Sequence, residues 1–277
     1  MNPSKKNSSF LTTSLNETVY LENNFSSISS QKSQLVAVHG MGAYSGWFNE
    51  LSDILAETQV GTVTFDLPGF GRSPKRGEVK SHRCWIEATK TAWKEASQKD
   101  SNTFLLGHSL GGIIALASIG ELTPKPKGVI LTVPALSANC KTWNLFNFVI
   151  PTFFRGLIDS SEKTTYPISH EVFDSIKKGK HSPDFITAEV RPKLFLETLK
   201  VTQKAWSNVF VFKDIPLLMI LSEDDPICDP KASRNFFNMC NSTNKTLKNY
   251  SGIAHDLFVL PQAEEINGLI ADWIATV

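Results

Sequence analysis

The sequence predicts an α/β protein: a mostly parallel β-sheet with helices on both faces, interrupted by an inserted helical cap. Three observations predict it. Short continuous apolar runs recur and stop at Gly, Pro or Asp; helical apolar spacing fills the intervals between them; and the alternation lapses between residues 135 and 213 before it resumes. Strands that read as unbroken apolar runs are buried on both faces, and strand–helix alternation is how such a sheet is assembled.

Taken in order, residues 1–34 are rich in Ser, Asn and Thr and read as a flexible polar tail, with Val19-Tyr20-Leu21 as their only strand candidate. The core begins with Leu35-Val36-Ala37-Val38, a first strand ending at His39-Gly40. Trp47, Leu51, Ile54 and Leu55 then follow a helical period. Gly61-Thr62-Val63-Thr64-Phe65-Asp66 is a second strand, and Trp85, Ala88, Ala92 and Trp93 mark a second helix. Thr103-Phe104-Leu105-Leu106 is a third strand, followed by a very apolar helix over 113–119, and Gly128-Val129-Ile130-Leu131-Thr132-Val133 is a fourth. Residues 135–213 carry helical patterns only, such as Phe195, Leu196, Leu199, Val201 and Thr202, and read as the cap. The core resumes over 214–277 with the strand Leu217-Leu218-Met219-Ile220-Leu221, a weaker strand near Thr246-Leu247-Lys248-Asn249-Tyr250 and a helix over 263–274.

Charge and composition exclude several classes. Lys and Arg number 28 against 27 Asp and Glu, so no field favours nucleic acid or an anionic membrane. No run reaches the roughly 18 apolar residues of a membrane span, and Lys5-Lys6 are not followed by the apolar region of a signal peptide. The expectation is a soluble, cytoplasmic protein. Cys84, Cys140, Cys228 and Cys240 lie far apart without a C-x-x-C pair, which suggests free thiols rather than a disulfide framework or a zinc site.

Gly107-His108-Ser109-Leu110-Gly111 fits G-x-S-x-G between an apolar strand and an apolar helix. The glycines let strand and helix approach closely while the serine is presented on a strained turn. Ser109 is therefore the candidate nucleophile, the alternative being a serine that merely caps the helix. A serine hydroxyl needs a base oriented by a third group. His255 lies between the last strand and the last helix, where the loop opens at the same end of the sheet, whereas His82, His170 and His181 sit in polar stretches typical of solvated surface. The acid belongs on the loop Ser222-Glu223-Asp224-Asp225-Pro226, with Asp225 favoured because Pro226 stiffens the chain after it, and Asp224 as runner-up. Asp229 before Pro230 reads as a helix cap. The backbone N–H groups of Leu110 and Met41 are the candidate oxyanion donors.

Five segments together resemble the α/β-hydrolase superfamily, in its monoacylglycerol lipase and lysophospholipase-like branch. They are residues 39–46, the D-x-x-G-x-G-x-S loop at 66–73, the elbow at 107–112, the acid loop at 222–229 and the G-x-x-H loop at 252–255, in the order Ser, Asp, His. Ser222 departs from the usual glycine, and Pro68 and Phe70 depart from residues frequent in the lipase branch. The resemblance implies the α/β-hydrolase fold and an esterase or lipase without metal or organic cofactor, in which Ser109, His255 and Asp225 form the triad. It aligns the family's catalytic aspartate with Asp225.

The cap holds the evidence on substrate. Its stretch from Trp143 through Phe146 and Phe148 to Phe153 and Phe154 is rich in large apolar groups. Such a stretch would line an acyl tunnel, touch a membrane surface transiently, or simply pack on the core. The candidate substrate contacts are His108, Trp143, Phe146 and Phe153. The expected substrate is a small-molecule ester of medium or long acyl chain, such as a monoacylglycerol or lysophospholipid. A small-ester carboxylesterase, a thioesterase and, from another class, a non-catalytic ligand-binding receptor are the alternatives. No nucleic-acid or protein partner is indicated.

Overall fold

The computed structural model describes all residues except 1–5, 26–27, 29–30, 99–101, 140–153, 156, 159–160 and 166–168. Eight strands form one sheet: β1 (Asn7–Thr12), β2 (Thr18–Asn23), β3 (Ser33–Val38), β4 (Val60–Phe65), β5 (Thr103–His108), β6 (Gly128–Thr132), β9 (Leu217–Ser222) and β10 (Lys245–Tyr250). Their order is β1-β2-β4-β3-β5-β6-β9-β10. Every pair from β4 to β10 is parallel, and β2 is antiparallel to both its neighbours.

The apolar runs alternate between two cores. Val36, Val38, Leu105, Val129, Leu131, Leu217 and Met219 face one side. There they meet α2 (His82–Ser97), α3 (Leu110–Ser118), α5 (Lys193–Ser207) and α6 (Pro230–Met239). Leu35, Ala37, Phe104, Leu106, Ile130, Leu218 and Ile220 face the other, against α1 (Asn49–Glu57) and α7 (Ala263–Thr276). Burial on both faces is why these strands lack polar alternation. Trp85 and Trp93 of α2 are fully buried, and their indole N–H groups donate to the carbonyls of Pro68 and Pro124, each at 3.0 Å. A large buried ring is thereby accommodated without a stranded donor.

Two expectations are corrected. The polar tail assigned to 1–34 is, over residues 7–23, an edge hairpin. Val19 and Leu21 turn inward, each 1% exposed, while β1 is mostly exposed and therefore carries little apolar signal. The helical insertion assigned to 135–213 is also too long at its C-terminal end. Leu194, Val201 and Ala205 of α5 join the same core as α2 and α3, so α5 flanks the sheet. Before it lie α4 (His170–Lys177), a 3-10 turn at Pro183–Phe185, and the strands β7 (Thr164–Thr165) and β8 (Glu189–Val190), which pair antiparallel. Among the described residues, no helix is long and apolar enough to cross a membrane.

Candidate active site

Because β3, β5, β9 and β10 are parallel, the segments that follow them emerge at one end of the sheet, the position where open α/β sheets build sites. Ser109 follows β5 directly, with φ 54° and ψ −117°, a conformation costly for any side chain other than glycine. The turn is held by three bonds of 3.0 Å. The Ser109 N–H donates to the Thr132 carbonyl, and the Ser109 carbonyl accepts from the N–H groups of Gly112 and Ala135. The flanking glycines are sterically required. A Cβ on Gly107 would stand 2.4 Å from the Gly111 carbonyl oxygen, and one on Gly111 would stand 2.0 Å from that of Val38.

The structure brings Ser109, His255 and Asp225 together, all buried. Ser109 Oγ lies 2.8 Å from His255 Nε2, and His255 Nδ1 lies 2.7 Å from Asp225 Oδ2. Asp225 Oδ1 accepts from the N–H groups of Ile227 and Cys228, at 2.7 and 2.9 Å. The Asp225 carboxylate is thus oriented by its own chain, and it fixes the imidazole with a proton on Nδ1 and a free acceptor at Nε2. Burial, the largest single influence, pulls the His255 pKa down. The charge and hydrogen bond of Asp225, together with the charge of Asp256, outweigh it and leave the imidazole above its ordinary value. Asp224 is not in this chain of contacts; its carboxylate accepts from the Gly252 N–H at 2.7 Å. Asp229 caps α6 through Lys231 N, with Pro230 at the first helical position, as its sequence context predicts. Ser222, the departure from glycine, donates to the Ile253 carbonyl at 2.6 Å and ties the acid loop to the segment leading into His255.

Leu110 is the first residue of α3, where backbone N–H groups have no acceptor within their own helix. The loop that carries Met41 abuts the serine, since a Cβ on Gly40 would lie 3.2 Å from Ser109 Cβ. His39 joins that loop to the one after β4. Its Nε2 accepts from the Leu67 N–H at 2.9 Å and its Nδ1 donates to the Gly40 carbonyl at 2.7 Å. Burial lowers its pKa, which suits a neutral ring in that role.

His108 is buried rather than open to solvent, with ring centroids 6.2 Å from Trp47, 5.4 Å from Phe258 and 5.4 Å from His255. Trp143, Phe146 and Phe153 lie outside the described residues. His181, expected at the surface, is buried against Tyr44 and Trp47, rings that the loop after β3 brings to it. The sequence reading also missed two neighbours of Ser109, His255 and Asp225. Asp256 is buried, accepts from Ser169 Oγ, and has its carboxyl pKa pushed up by that burial. Cys228 is buried, its N–H donates to Asp225 Oδ1, and its thiol pKa is raised well above its ordinary range, first by burial and then by the Asp225 charge. The adjacency of Asp256 to His255 was the available signal for the first. His108, His255 and Asp256 hold ligand atoms within 4.8 Å of one another, as do Asp225, Cys228 and His255. In both sets a metal would compete with the bonds His255 already makes to Ser109 and Asp225.

Known proteins share this architecture. Phospholipase YtpA of Bacillus subtilis (strain 168) is 26% identical over 239 residues, covering 84% of this chain and 91% of its own. Monoglyceride lipase of Homo sapiens is 26% identical over 262 residues, covering 88% and 84%. Among solved structures, the monoacylglycerol lipase of Paleococcus ferrophilus superposes with a TM-score of 0.79 at 25% identity, over 93% of this chain and 98% of that one. A soluble variant of monoglyceride lipase from Saccharomyces cerevisiae, in complex with a substrate analog, gives 0.82 over 100% and 96%, at an identity of 18% that speaks to the fold alone. The family described as serine aminopeptidase S33 (Hydrolase_4) matches residues 29–261, and the chain belongs to it.

Proposed function

We propose that this protein is a serine hydrolase that cleaves carboxylic esters of lipids through an acyl-enzyme, with monoacylglycerols or lysophospholipids of medium to long acyl chain as substrates. The observation that carries the reading is the line from Ser109 Oγ through His255 to Asp225, at 2.8 and 2.7 Å. Likeness to a phospholipase and to monoglyceride lipases supports the lipid class. The large apolar side chains that the sequence places between Trp143 and Phe154 are the ones proposed to receive the acyl chain.

In this reading, Ser109 Oγ attacks the ester carbonyl carbon while its proton passes to His255 Nε2. The tetrahedral oxyanion is held by the N–H groups of Leu110 and Met41, at the positive end of α3. Collapse breaks the carbon–oxygen bond to the alcohol, which leaves with the proton from His255. Water then gives a proton to the same nitrogen and attacks the acyl carbon. A free acid forms, and Ser109 regains its hydrogen. Asp225 keeps Nδ1 protonated throughout and stabilises the transient imidazolium. His108 packs against His255, with ring centroids 5.4 Å apart.

Turnover of p-nitrophenyl esters of increasing acyl length, beside the Ser109→Ala variant, tests the reading. Expected is an optimum at medium or long chains and a loss in the variant on the order of 10⁶ in kcat. A folded wild type as inactive as the variant on every ester would overturn it.

A further inference from the structure

We infer that Arg72 is a positioning residue for the loop that carries Met41, acting through Tyr44, Ser45 and Asp66. The inference rests on the hydrolase reading and adds a residue that the triad does not include.

The Arg72 side chain gathers four segments that are far apart in sequence. Its guanidinium carbon lies 3.8 Å from the ring centroid of Phe185, 4.5 Å from that of Tyr20 and 5.4 Å from that of Tyr44. Nη1 donates to Ser45 Oγ at 3.4 Å and lies 3.5 Å from Asp66 Oδ2, while Nη2 lies 3.9 Å from Glu22 Oε1. The planar cation therefore faces rings from β2, from the loop after β3 and from the 3-10 turn at Pro183–Phe185. A guanidinium suits this arrangement because it stacks on rings and donates at its edge at once.

What it stabilises is a buried charge. Asp66 is fully buried, and an uncompensated carboxylate there would be costly. Its two oxygens accept from the N–H groups of Ser45 and Arg72, each at 2.6 Å. Ser45 opens the turn that ends the loop 39–46, so Asp66 fixes one end of that loop while His39 and the abutment of Gly40 on Ser109 fix the other. Two bonds attach the outer segment to the same loop. Thr187 N–H donates to the Gly42 carbonyl and Ser182 N–H donates to Tyr44 Oη, both at 2.9 Å. Removing the cation leaves Asp66 less compensated and Tyr44 and Phe185 without their shared partner. The loop between Gly40 and Ser45 is then free to shift. An oxyanion donor works only at about 2.7–3.1 Å from the developing charge, and a displacement of about 1 Å costs on the order of 10²-fold.

The test compares wild type with Arg72→Met and Arg72→Lys on one p-nitrophenyl ester, together with inhibition by n-hexylboronic acid, whose tetrahedral adduct on the serine places an oxygen where the oxyanion forms. For Arg72→Met, kcat should fall roughly 10- to 100-fold with KM within about 3-fold, and the boronate inhibition constant should rise by a similar factor. Arg72→Lys should recover part of both. A merely structural role would lower the melting temperature and the folded fraction without this parallel loss. The inference is overturned if folded Arg72→Met keeps wild-type kcat and boronate affinity, if the loss falls on KM alone, or if it tracks the unfolded fraction. Should Arg72→Met not fold, Phe185→Leu removes the 3.8 Å stacking without disturbing Asp66, and the same parallel loss, smaller, is required of it. Wild-type turnover in the same series separates the two readings, since an inactive wild type sinks the hydrolase assignment and this one with it, whereas an active wild type with an unaffected variant sinks this one only.

Discussion

Asp225 presents one carboxylate oxygen to His255 Nδ1 at 2.7 Å and the other to the N–H groups of Ile227 and Cys228, so its orientation is set by the three residues that follow it. An amide at this position cannot satisfy both sides. Its NH₂ must face either the two backbone donors or the imidazole, and the second choice imposes the wrong tautomer. Asp225→Asn is therefore expected to lose about 10⁴ in kcat near neutral pH with the fold intact. Asp224→Asn, which disturbs only the bond to Gly252, should keep most of its turnover. Steady-state kinetics on the two variants decides between the carboxylates, and the opposite ranking would move the acid to Asp224.

In the proposed mechanism His255 must be neutral to accept the Ser109 proton, so kcat/KM should rise with pH through its pKa. That pKa is raised, which puts the midpoint of the acid limb above the ordinary histidine value of about 6.5. Asp256 is one of the charges holding it up, after Asp225. Asp256→Asn should accordingly move the limb to lower pH, and a limb that stayed in place or rose would refute the role given to Asp256.

His181 titrates in the opposite sense. Burial lowers its pKa to about 4, so between the unfolded value of about 6.5 and about 4 the unfolded chain binds a proton that the folded chain refuses. Stability contributed here is present at neutral pH, falls as pH drops through that window and is fully lost below about 4, at a total cost on the order of 3 kcal/mol. Urea unfolding of wild type and His181→Phe at pH 7 and 4.5 checks this. The variant, with no proton to take up, should lose less stability on acidification, and equal losses would contradict the account.

The edge hairpin stabilises the core even though β1 is exposed. Deleting residues 1–23 uncovers β4 and removes the buried side chains of Val19 and Leu21. At about 1.5–3 kcal/mol for each buried aliphatic side chain, the deletion should cost roughly 3–6 kcal/mol. A denaturant midpoint unchanged by the deletion would show that the strand merely rests on the sheet edge.

How much of this was legible beforehand follows from physical cause. The strands β3, β4, β5, β6 and β9 could be read because burial on both faces writes them as apolar runs. The turn at Ser109 could be read because Gly107 and Gly111 each stand where a Cβ would collide with backbone. The hairpin could not, because an exposed strand such as Asn7–Thr12 needs no apolar face and Val19 and Leu21 alone mark its partner. The surroundings of Asp256, Cys228 and Arg72 depend on what the fold lays beside them, and none belongs to a spacing that chemistry demands. His181 was misread for the same reason: the rings that bury it, Tyr44 and Trp47, come from a loop well over a hundred residues earlier in the chain.

Covalent capture tests the assignment of Ser109 most directly. The folded protein would be treated with an alkyl fluorophosphonate, its intact mass measured and the modified residue located by peptide mapping. A single phosphonyl adduct on Ser109 is expected, formed as ester turnover disappears and absent from Ser109→Ala and strongly slowed in Asp225→Asn. An adduct on another residue, or a folded wild-type protein that hydrolyses esters at full rate with Ser109 unmodified, would contradict it.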